Sequence, residues 1–573
     1  MKSKKLLAIL LAGLISASAF AGCTAPASTD GDASSKEPEA PNMDGDVQLN
    51  EPGEFPIVIG DKITISAFTA PHTDENTILD SETNAFSKWF EDKTNIKIDW
   101  SIVTKADKAA KLNLLFQSDN YEDIIFGTGW NGATQYSYGE QGYLIPLNDY
   151  LENDAFYYDK FMEASIADGS EHKEYWDMAF VMPDGNIYSM GQATGGGHNN
   201  VAFRMRIYQP WLDAVGMDMP ETTDEYYEAL KAFKTQDPNG NNQADEIPLT
   251  GSLTGWNTNP FDFLTNSFLY YNAQDKTFVE DGDVEFVYTR DEMKEAIKYF
   301  HKLSSEGLLS EDTFVQEPNS LKALTTQDVQ KVGSVAGGNF TAFTVSTNNE
   351  EGDWTNWALV NPLKGPDGVQ YARYTPPYPQ TKLHITNNCK TPRAAFRMID
   401  ALYEEEVSAN CVLGMQDDYW RYLTPEDNVE GELPGLATFQ QIRQPTDGGS
   451  NYTWNQIGVS SIWRTWKWGL SGPDRTLNHG ALFYEARDAY WPFIPSDDEL
   501  VPPLIFTDND SKTVVDIKNN LDTTFEQKFA DFVINGQIDE RWDAYVAEME
   551  AKGLPTLEKL YQAAYEERMK QFD

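Results

Sequence analysis

The chain has 573 residues, 40% of them hydrophobic and 23% charged, so a large core is within reach and wholesale disorder is excluded. At roughly 150 residues per domain this length suits two to four domains. Ninety acidic residues against 44 basic ones leave a net charge of −46. Such a surface repels phosphate backbones and anionic lipid alike, which argues against nucleic acid as a partner. Three cysteines are too few for a disulfide scaffold.

The N-terminus reads as a leader. Lys2, Lys4 and Lys5 precede an apolar run from Leu6 to Phe20 that is too short for a comfortable membrane anchor. Phe20-Ala21-Gly22-Cys23 closes the run and resembles a bacterial lipobox, which makes Cys23 the acylated mature N-terminus and residues 1–22 a lipoprotein signal peptide. Residues 23–55, rich in Ala, Ser, Asp, Glu, Pro and Gly, cannot bury enough apolar surface to fold and read as a disordered tether. Anchor and tether together place a soluble body on the outer face of the cytoplasmic membrane.

Order is expected from about Ile57. Ile63, Ile65 and Ala67 alternate with polar neighbours, as do Ile96, Ile98, Trp100 and Ile102, and both predict strands. A helix is predicted between them over 81–93, and another from Asp107 to Gln117. Asp123-Ile124-Ile125-Phe126-Gly127 then reads as a short buried strand. Strand, helix, strand, helix, strand at this spacing predicts a parallel α/β sheet. Thr222-x-x-Glu225 and Thr289-x-x-Glu292 each have the form of a capping box, and Thr391-Pro392 starts a further helix. Trp542, Tyr545, Val546 and Met549 mark a helical stripe near the C-terminus.

Asp237-Pro238-Asn239-Gly240-Asn241-Asn242-Gln243-Ala244-Asp245-Glu246 sets oxygen ligands at alternate positions and closes with two adjacent carboxylates. Calcium takes six to eight oxygens, and alternate residues of a tight loop point inward together. Asp237, Asn239, Asn241, Asp245 and Glu246 are the side-chain ligands expected, with Gln243 supplying its carbonyl. A regular EF-hand would carry Gly at the sixth position and Glu at the twelfth; Asn242 and Pro248 stand there instead. The competing reading is a polar turn without metal.

Phosphate-loop, zinc-helix and serine-elbow motifs are missing, and the six histidines are scattered without ligand spacing. Cys389 and Cys411 read as buried free thiols, although an exported protein could pair them. A glycosidase-like carboxylate pair could hide among so many acids, which keeps a secreted carbohydrate-active enzyme as the alternative function.

Taken in order, several short strings are similar to those of the family 1 extracellular solute-binding proteins, in particular their large Gram-positive lipoprotein branch. They are Asp123–Gly127, Gly142-Tyr143-Leu144-Ile145-Pro146-Leu147, Pro183-Asp184-Gly185-Asn186-Ile187-Tyr188, Trp211–Gly216, Pro220–Thr223, the calcium-like loop, Gly365-Pro366-Asp367-Gly368 and Ile534-Asn535-Gly536. The resemblance implies a periplasmic-binding-protein-like α/β fold of two lobes, with a hinge and a ligand cleft. It further implies no catalysis, a structural calcium, a monomer, an oligosaccharide ligand and the permease of a carbohydrate ABC importer as partner. The lobes are expected over 56–180 and 181–345, with 346–573 returning to both.

Sugars stack their apolar faces on aromatic rings and need planar donors and acceptors at the rim. In α/β folds such groups sit in loops after strands. Trp130, Trp256, Asn257, Asn339, Trp463 and Trp466 are the cleft residues this expectation selects.

Overall fold

Alternation builds the first sheet. In β1 (Ile63–Thr69) Ile65 and Ala67 face one side, where helix Ala85–Thr94 packs Phe86 and Phe90. Phe68 faces the other side, against Leu112, Leu115 and Phe116 of helix Lys108–Gln117. Each of these buried side chains stabilises the sandwich by about 1.5–3 kcal/mol. The first helix starts at Asn84, whose side chain accepts from the Ser87 amide, and stops at Asn95 in the left-handed region.

The computed structural model describes residues 42–71, 80–167, 172–192, 197–272, 274–443, 451–454, 457 and 466–572. The leader, Cys23 and the tether through residue 41 therefore lie outside the described residues. All described residues belong to the unit Asn42–Asp573, and among them no helix is long and apolar enough to cross a membrane.

The other strands of the two main sheets are β2 (Ile96–Ile102), β3 (Ile124–Phe126), β4 (Met190–Gln192), β5 (Met205–Tyr208), β6 (Ile247–Thr250), β7 (Val332–Ala336), β8 (Trp357–Val360) and β9 (Gln380–Ile385). They form a five-stranded sheet in the order β2-β1-β3-β9-β4 and a four-stranded sheet in the order β8-β5-β7-β6. β1, β2 and β3 are parallel, as expected. β9 enters antiparallel to β3, which corrects the all-parallel expectation, while β4, antiparallel to β9, runs in the direction of β1, β2 and β3. β9 is reached by a crossing from the second sheet rather than by a helical crossover within its own sheet, so nothing enforces a parallel return. In the second sheet β6 and β7 are parallel while β5 and β8 are not.

Each sheet has its own core. The first gathers Ile65, Phe86, Phe126, Ile385, Phe396 and Ile399. The second gathers Ile207, Trp211, Tyr226, Leu249, Val335 and Trp357, and extends to Leu521, Phe532, Trp542 and Tyr545 of the C-terminal helices. The fold is thus a two-lobed α/β architecture. Its crossings lie between Gln192 and Met205 and between Val360 and Gln380, later than the expected boundaries after residues 180 and 345.

Two further expectations change. Residues 42–55 are not tether: Met43–Asp44 and Val47–Leu49 pair as a hairpin about Gly45, and Leu49 is buried in the first core. Asp44 accepts the Ala394 amide at 2.8 Å, a long-range anchor that composition does not display. The Thr222 capping box forms, with Thr222 accepting from the Glu225 amide at 3.1 Å and Glu225 from the Thr222 amide at 3.1 Å. The one at Thr289 does not. Val287–Thr289 closes into a 3-10 turn, helix Asp291–Ser305 starts after Arg290, and Glu292 meets the Arg290 guanidinium at 3.3 Å. Cys389 and Cys411 are both buried thiols, with no disulfide between them.

Candidate functional site

Strand direction locates the site. β1, β2 and β3 run in parallel to one edge of the first sheet, and β6 and β7 run in parallel to one edge of the second. β4 leaves, and β9 enters, at the first of these edges, while β5 enters and β8 leaves at the second. Both crossings therefore join the edges at which α/β folds bind ligands. The crossings also grip one another: the Asn200 side chain donates to the Thr375 carbonyl at 2.9 Å, and the Thr375 amide donates to the Asn200 carbonyl at 2.8 Å.

At the second sheet's edge three predicted residues come together. The Gly338 amide, just beyond β7, donates to the Trp256 carbonyl at 3.1 Å. The Trp256 indole lies so close over Gly338 that a Cβ there would stand 2.7 Å from its ring. Glycine is required for this approach, and the ring's far side is open: Trp256 is 49% exposed. Asn257 beside it adopts a positive φ of 54°. Asn339 follows Gly338 and caps helix Phe340–Phe343, its Oδ1 accepting from the Ala342 amide at 2.8 Å. Its carbonyl oxygen is therefore committed locally, which leaves the amide nitrogen for a ligand.

At the first sheet's edge Trp130 follows β3 and is partly buried against Tyr138 and the His384 ring, with centroids 5.0 and 4.6 Å away. His384 is fully buried. Its Nδ1 lies 2.9 Å from the Tyr188 carbonyl and its Nε2 2.9 Å from the Thr128 hydroxyl. Nδ1 must donate to the carbonyl, so Nε2 accepts, and burial holds the neutral ring with its pKa lowered to about 4.

Trp466 is corrected. It is only 2% exposed, packed between Phe439 and Trp468 at centroid distances of 5.0 and 5.7 Å, and has no ring face to offer. Trp463 lies outside the described residues. A separate cavity of about 230 Å³, lined by Lys88, Glu91, Ile96, Ile98, Trp100 and Trp454 among others, opens against the amino-terminal half of β2 rather than at the carboxyl ends of the strands.

The sequence reading missed the cations at these edges. Lys108 donates to the carbonyls of Gly127 and Thr128 at 2.5 and 2.9 Å, and the Gly127 amide donates to the Lys382 carbonyl at 2.8 Å. Burial lowers the pKa of both lysines. Arg204, 1% exposed, donates to the Gly338 carbonyl at 2.9 Å and to that of His198. The signal was present in Thr381-Lys382-Leu383-His384-Ile385 and Phe203-Arg204-Met205-Arg206-Ile207, where basic residues interrupt apolar strands.

The metal-like loop follows helix Thr223–Thr235 and is folded by its own side chains. Asp237 accepts the amides of Asn241 and Asn242 at 3.1 and 2.9 Å. Asn239 Oδ1 accepts the Asn241 amide at 3.0 Å, and Asn241 Oδ1 accepts the Gln243 amide at 2.7 Å. The Asn239 and Asn241 amides donate to Asp245 Oδ1, and Lys331 pairs with Asp245 Oδ2 at 2.9 Å. Hydrogen bonds from Asn241 and Lys331 hold the Asp245 carboxyl at a pKa of about 2. Among the described residues Glu246 Oε1 is buried without a hydrogen-bond partner, and burial raises the Glu246 pKa. Among the described residues no three acidic, His or Cys side chains converge closely enough to hold a metal by themselves. A hard cation here would rely on amide and backbone oxygens as well, which this oxygen-only set provides.

No family model matches the chain. Among curated proteins it is 27% identical over 493 residues to the fructooligosaccharide ABC transporter substrate-binding protein FusA of Streptococcus pneumoniae serotype 4, covering 83% of this chain and 86% of that protein. Lipoprotein LipO of Bacillus subtilis is 33% identical over 171 residues, 29% of this chain and 33% of LipO. The polygalacturonan/rhamnogalacturonan-binding protein YtcQ of Bacillus subtilis is 23% identical over 288 residues, 49% of this chain and 52% of YtcQ. The fold matches an extracellular solute-binding protein of Bifidobacterium longum subsp. infantis with a TM-score of 0.72 at 22% identity, covering 89% of this chain and 99% of that one. An EF-hand mutant of S. pneumoniae FusA in complex with fructo-nystose matches with 0.65 at 24% identity, covering 89% and 100%. The alginate-binding protein AlgQ2, solved without calcium ion, matches with 0.59 at 16% identity, covering 88% and 98%. FusA, YtcQ and AlgQ2 are binding proteins by their own descriptions.

Proposed function

We propose that this chain is a lipid-anchored extracellular receptor that captures an oligosaccharide between its two lobes and presents it to the permease of an ABC importer. The observation that carries this reading is the meeting of both crossings at the strand-end edges, one edge bearing Trp256, Asn257 and Asn339 and the other Trp130. A glycan bridging the edges binds the closed form better than the open one, and that difference in affinity drives closure. The closed receptor is then the form the permease recognises. FusA, the relative aligned over most of this chain, is a fructooligosaccharide-binding protein by its own description, which supports a carbohydrate ligand here.

The loop Asp237–Glu246 holds calcium in a structural role. Asp237, Asn239, Asn241, Asp245 and Glu246 supply side-chain oxygens and Gln243 its carbonyl. The orphaned Glu246 Oε1 supports this, as do the EF-hand variant of FusA and the calcium-free form of AlgQ2. Cys23 carries the lipid, and the receptor works as a monomer tethered outside the membrane. Calorimetry of the purified protein against a glycan panel tests the function. Saturable heats with unchanged sugar are expected, and time-dependent product formation in the same mixture would replace capture with catalysis.

A further inference from the structure

Two buried cations in this protein have acidic partners, while Arg568, 3% exposed, gives its donors to the Val181 and Met178 carbonyls and to Gln571 instead. Arg373, 2% exposed, pairs with Asp262 at 3.0 Å, and Arg397, 4% exposed, pairs with Asp154 at 2.6 Å. An unpaired charge taken out of water is costly, which is why such pairing is usual. Lys382, Arg204 and Arg206 also lack an acidic partner. Each is at least nine-tenths buried, and among the described residues none has a carboxylate within ion-pair distance.

Their placement is not random. Lys382 sits on β9 where that strand enters the ligand edge of the first sheet, opposite Gly127, with Lys108 bonded to the same Gly127 carbonyl. The register of β9 against β4 shifts at Lys382, and the residues on either side of it touch Trp130: the Thr381 hydroxyl donates to the Trp130 carbonyl at 2.6 Å, and the His384 ring lies 4.6 Å from the indole. Arg204 and Arg206 open β5 at the facing edge of the second sheet. Arg204 holds the Gly338 carbonyl beneath Trp256, and Arg206 lies 4.4 Å above the Phe340 ring, immediately after Asn339. Lys108 and Arg204 spend their donors on backbone carbonyls, so they contribute charge and shape. Among the described residues the Lys382 ammonium has no hydrogen bond, and its chain neighbours Thr381 and His384 hold Trp130.

Resting on the proposed capture of an oligosaccharide at this cleft, we infer that the ligand is an acidic glycan. A carboxylate or sulfate is received by Lys382 next to Trp130, and Arg204 and Arg206 supply positive potential from the opposite edge. The bound anion is the missing partner of cations that the fold leaves unpaired. In a chain of net charge −46 these edges are where an anion is welcomed rather than repelled. A local cluster in a low-dielectric cleft outweighs distant surface charge screened by salt.

The experiment titrates the purified protein with oligogalacturonates, with the same oligosaccharides fully methyl-esterified, with sulfated oligosaccharides and with neutral fructans. At least tenfold tighter binding of an acidic member than of its neutral counterpart, weakening as NaCl is raised, is the expected result. Preference for uronate over sulfate, or the reverse, identifies which anion is read. Lys382→Met, which removes the charge and keeps the bulk, is expected to abolish the preference while the ligand-free melting temperature holds. Should that variant fail to fold, the comparison of acid with methyl ester on the unaltered protein decides alone. Equal or tighter binding of the neutral members overturns the acidic assignment and leaves glycan capture standing. Binding of no glycan of either class overturns both.

Discussion

Trp256→Ala separates ligand contact from packing. An indole side chain offers about 150–250 Å², and with 49% of Trp256 exposed roughly 100 Å² is there for a sugar to cover. At about 25 cal/mol per Å² that is about 2.5 kcal/mol if all of it is covered, and about half if only the outer ring face is. The expected loss of affinity is therefore about tenfold to sixtyfold, read by calorimetry at a temperature where both proteins are folded. The inner face rests on Gly338, so the melting temperature of the ligand-free variant also falls, by a few degrees at this chain length. Trp256→Phe, which keeps a ring, is expected to recover part of the affinity. Trp466→Ala is the opposite control. That ring is enclosed by Phe439 and Trp468, and its removal costs about 3–5 kcal/mol of stability while the folded fraction binds normally. Unchanged affinity in Trp256→Ala, or a large loss of affinity without a loss of stability in Trp466→Ala, would refute the assignment of these rings.

Chelation with EDTA is expected to lower the melting temperature and added calcium to restore it, because a metal bound only by the folded state stabilises it by mass action; an unchanged melting curve together with no calcium by elemental analysis leaves the polar-turn reading. Burial lowers the pKa of His384 from 6.5 to about 4, so between these values the unfolded chain binds the extra proton. The stability His384 contributes is thus full above pH 6.5 and is lost as pH falls toward 4, and the difference in denaturant midpoint between the unaltered protein and His384→Asn is expected to shrink or reverse sign over that window. Cys23→Ala is expected to release the protein into the medium, and continued membrane retention of that variant by fractionation would remove the lipid-anchor reading.

Local chemistry was legible where neighbours in sequence are also neighbours in space. The strands at Ile63, Ile96 and Ile124, the helices between them and the capping box at Thr222 follow from periods of two and 3.6 and from one short-range side-chain bond. The loop Asp237–Glu246 was legible for the same reason, since its hydrogen bonds all lie within the loop except those to Gln330 and Lys331. What was not legible needed a distant partner. The hairpin at Met43–Leu49 is held by Arg393 and Ala394, and the antiparallel entry of β9 depends on a crossing that no local pattern announces. Trp466 and Trp256 both stand in irregular, polar-flanked stretches, and only the packing of Phe439 and Trp468 on one and of Gly338 beneath the other tells them apart.

Charge shows the same division more sharply. A total of −46 argues against anionic partners if charge is treated as spread over a surface. That treatment fails for a cleft, because an interaction at contact distance in a poorly hydrated site exceeds many at a distance beyond the screening length. The informative quantity is the number of buried cations that the protein leaves without an acid, not the sum over the chain. Arg373 and Arg397 are accounted for by Asp262 and Asp154, whereas Lys382 and Arg206 are not accounted for by any described carboxylate. Since both stand at strand ends where the lobes are joined, the excess of acid elsewhere serves solubility and keeps anions off the outer surface. The positive edges then become the place where an acidic glycan gains by leaving water.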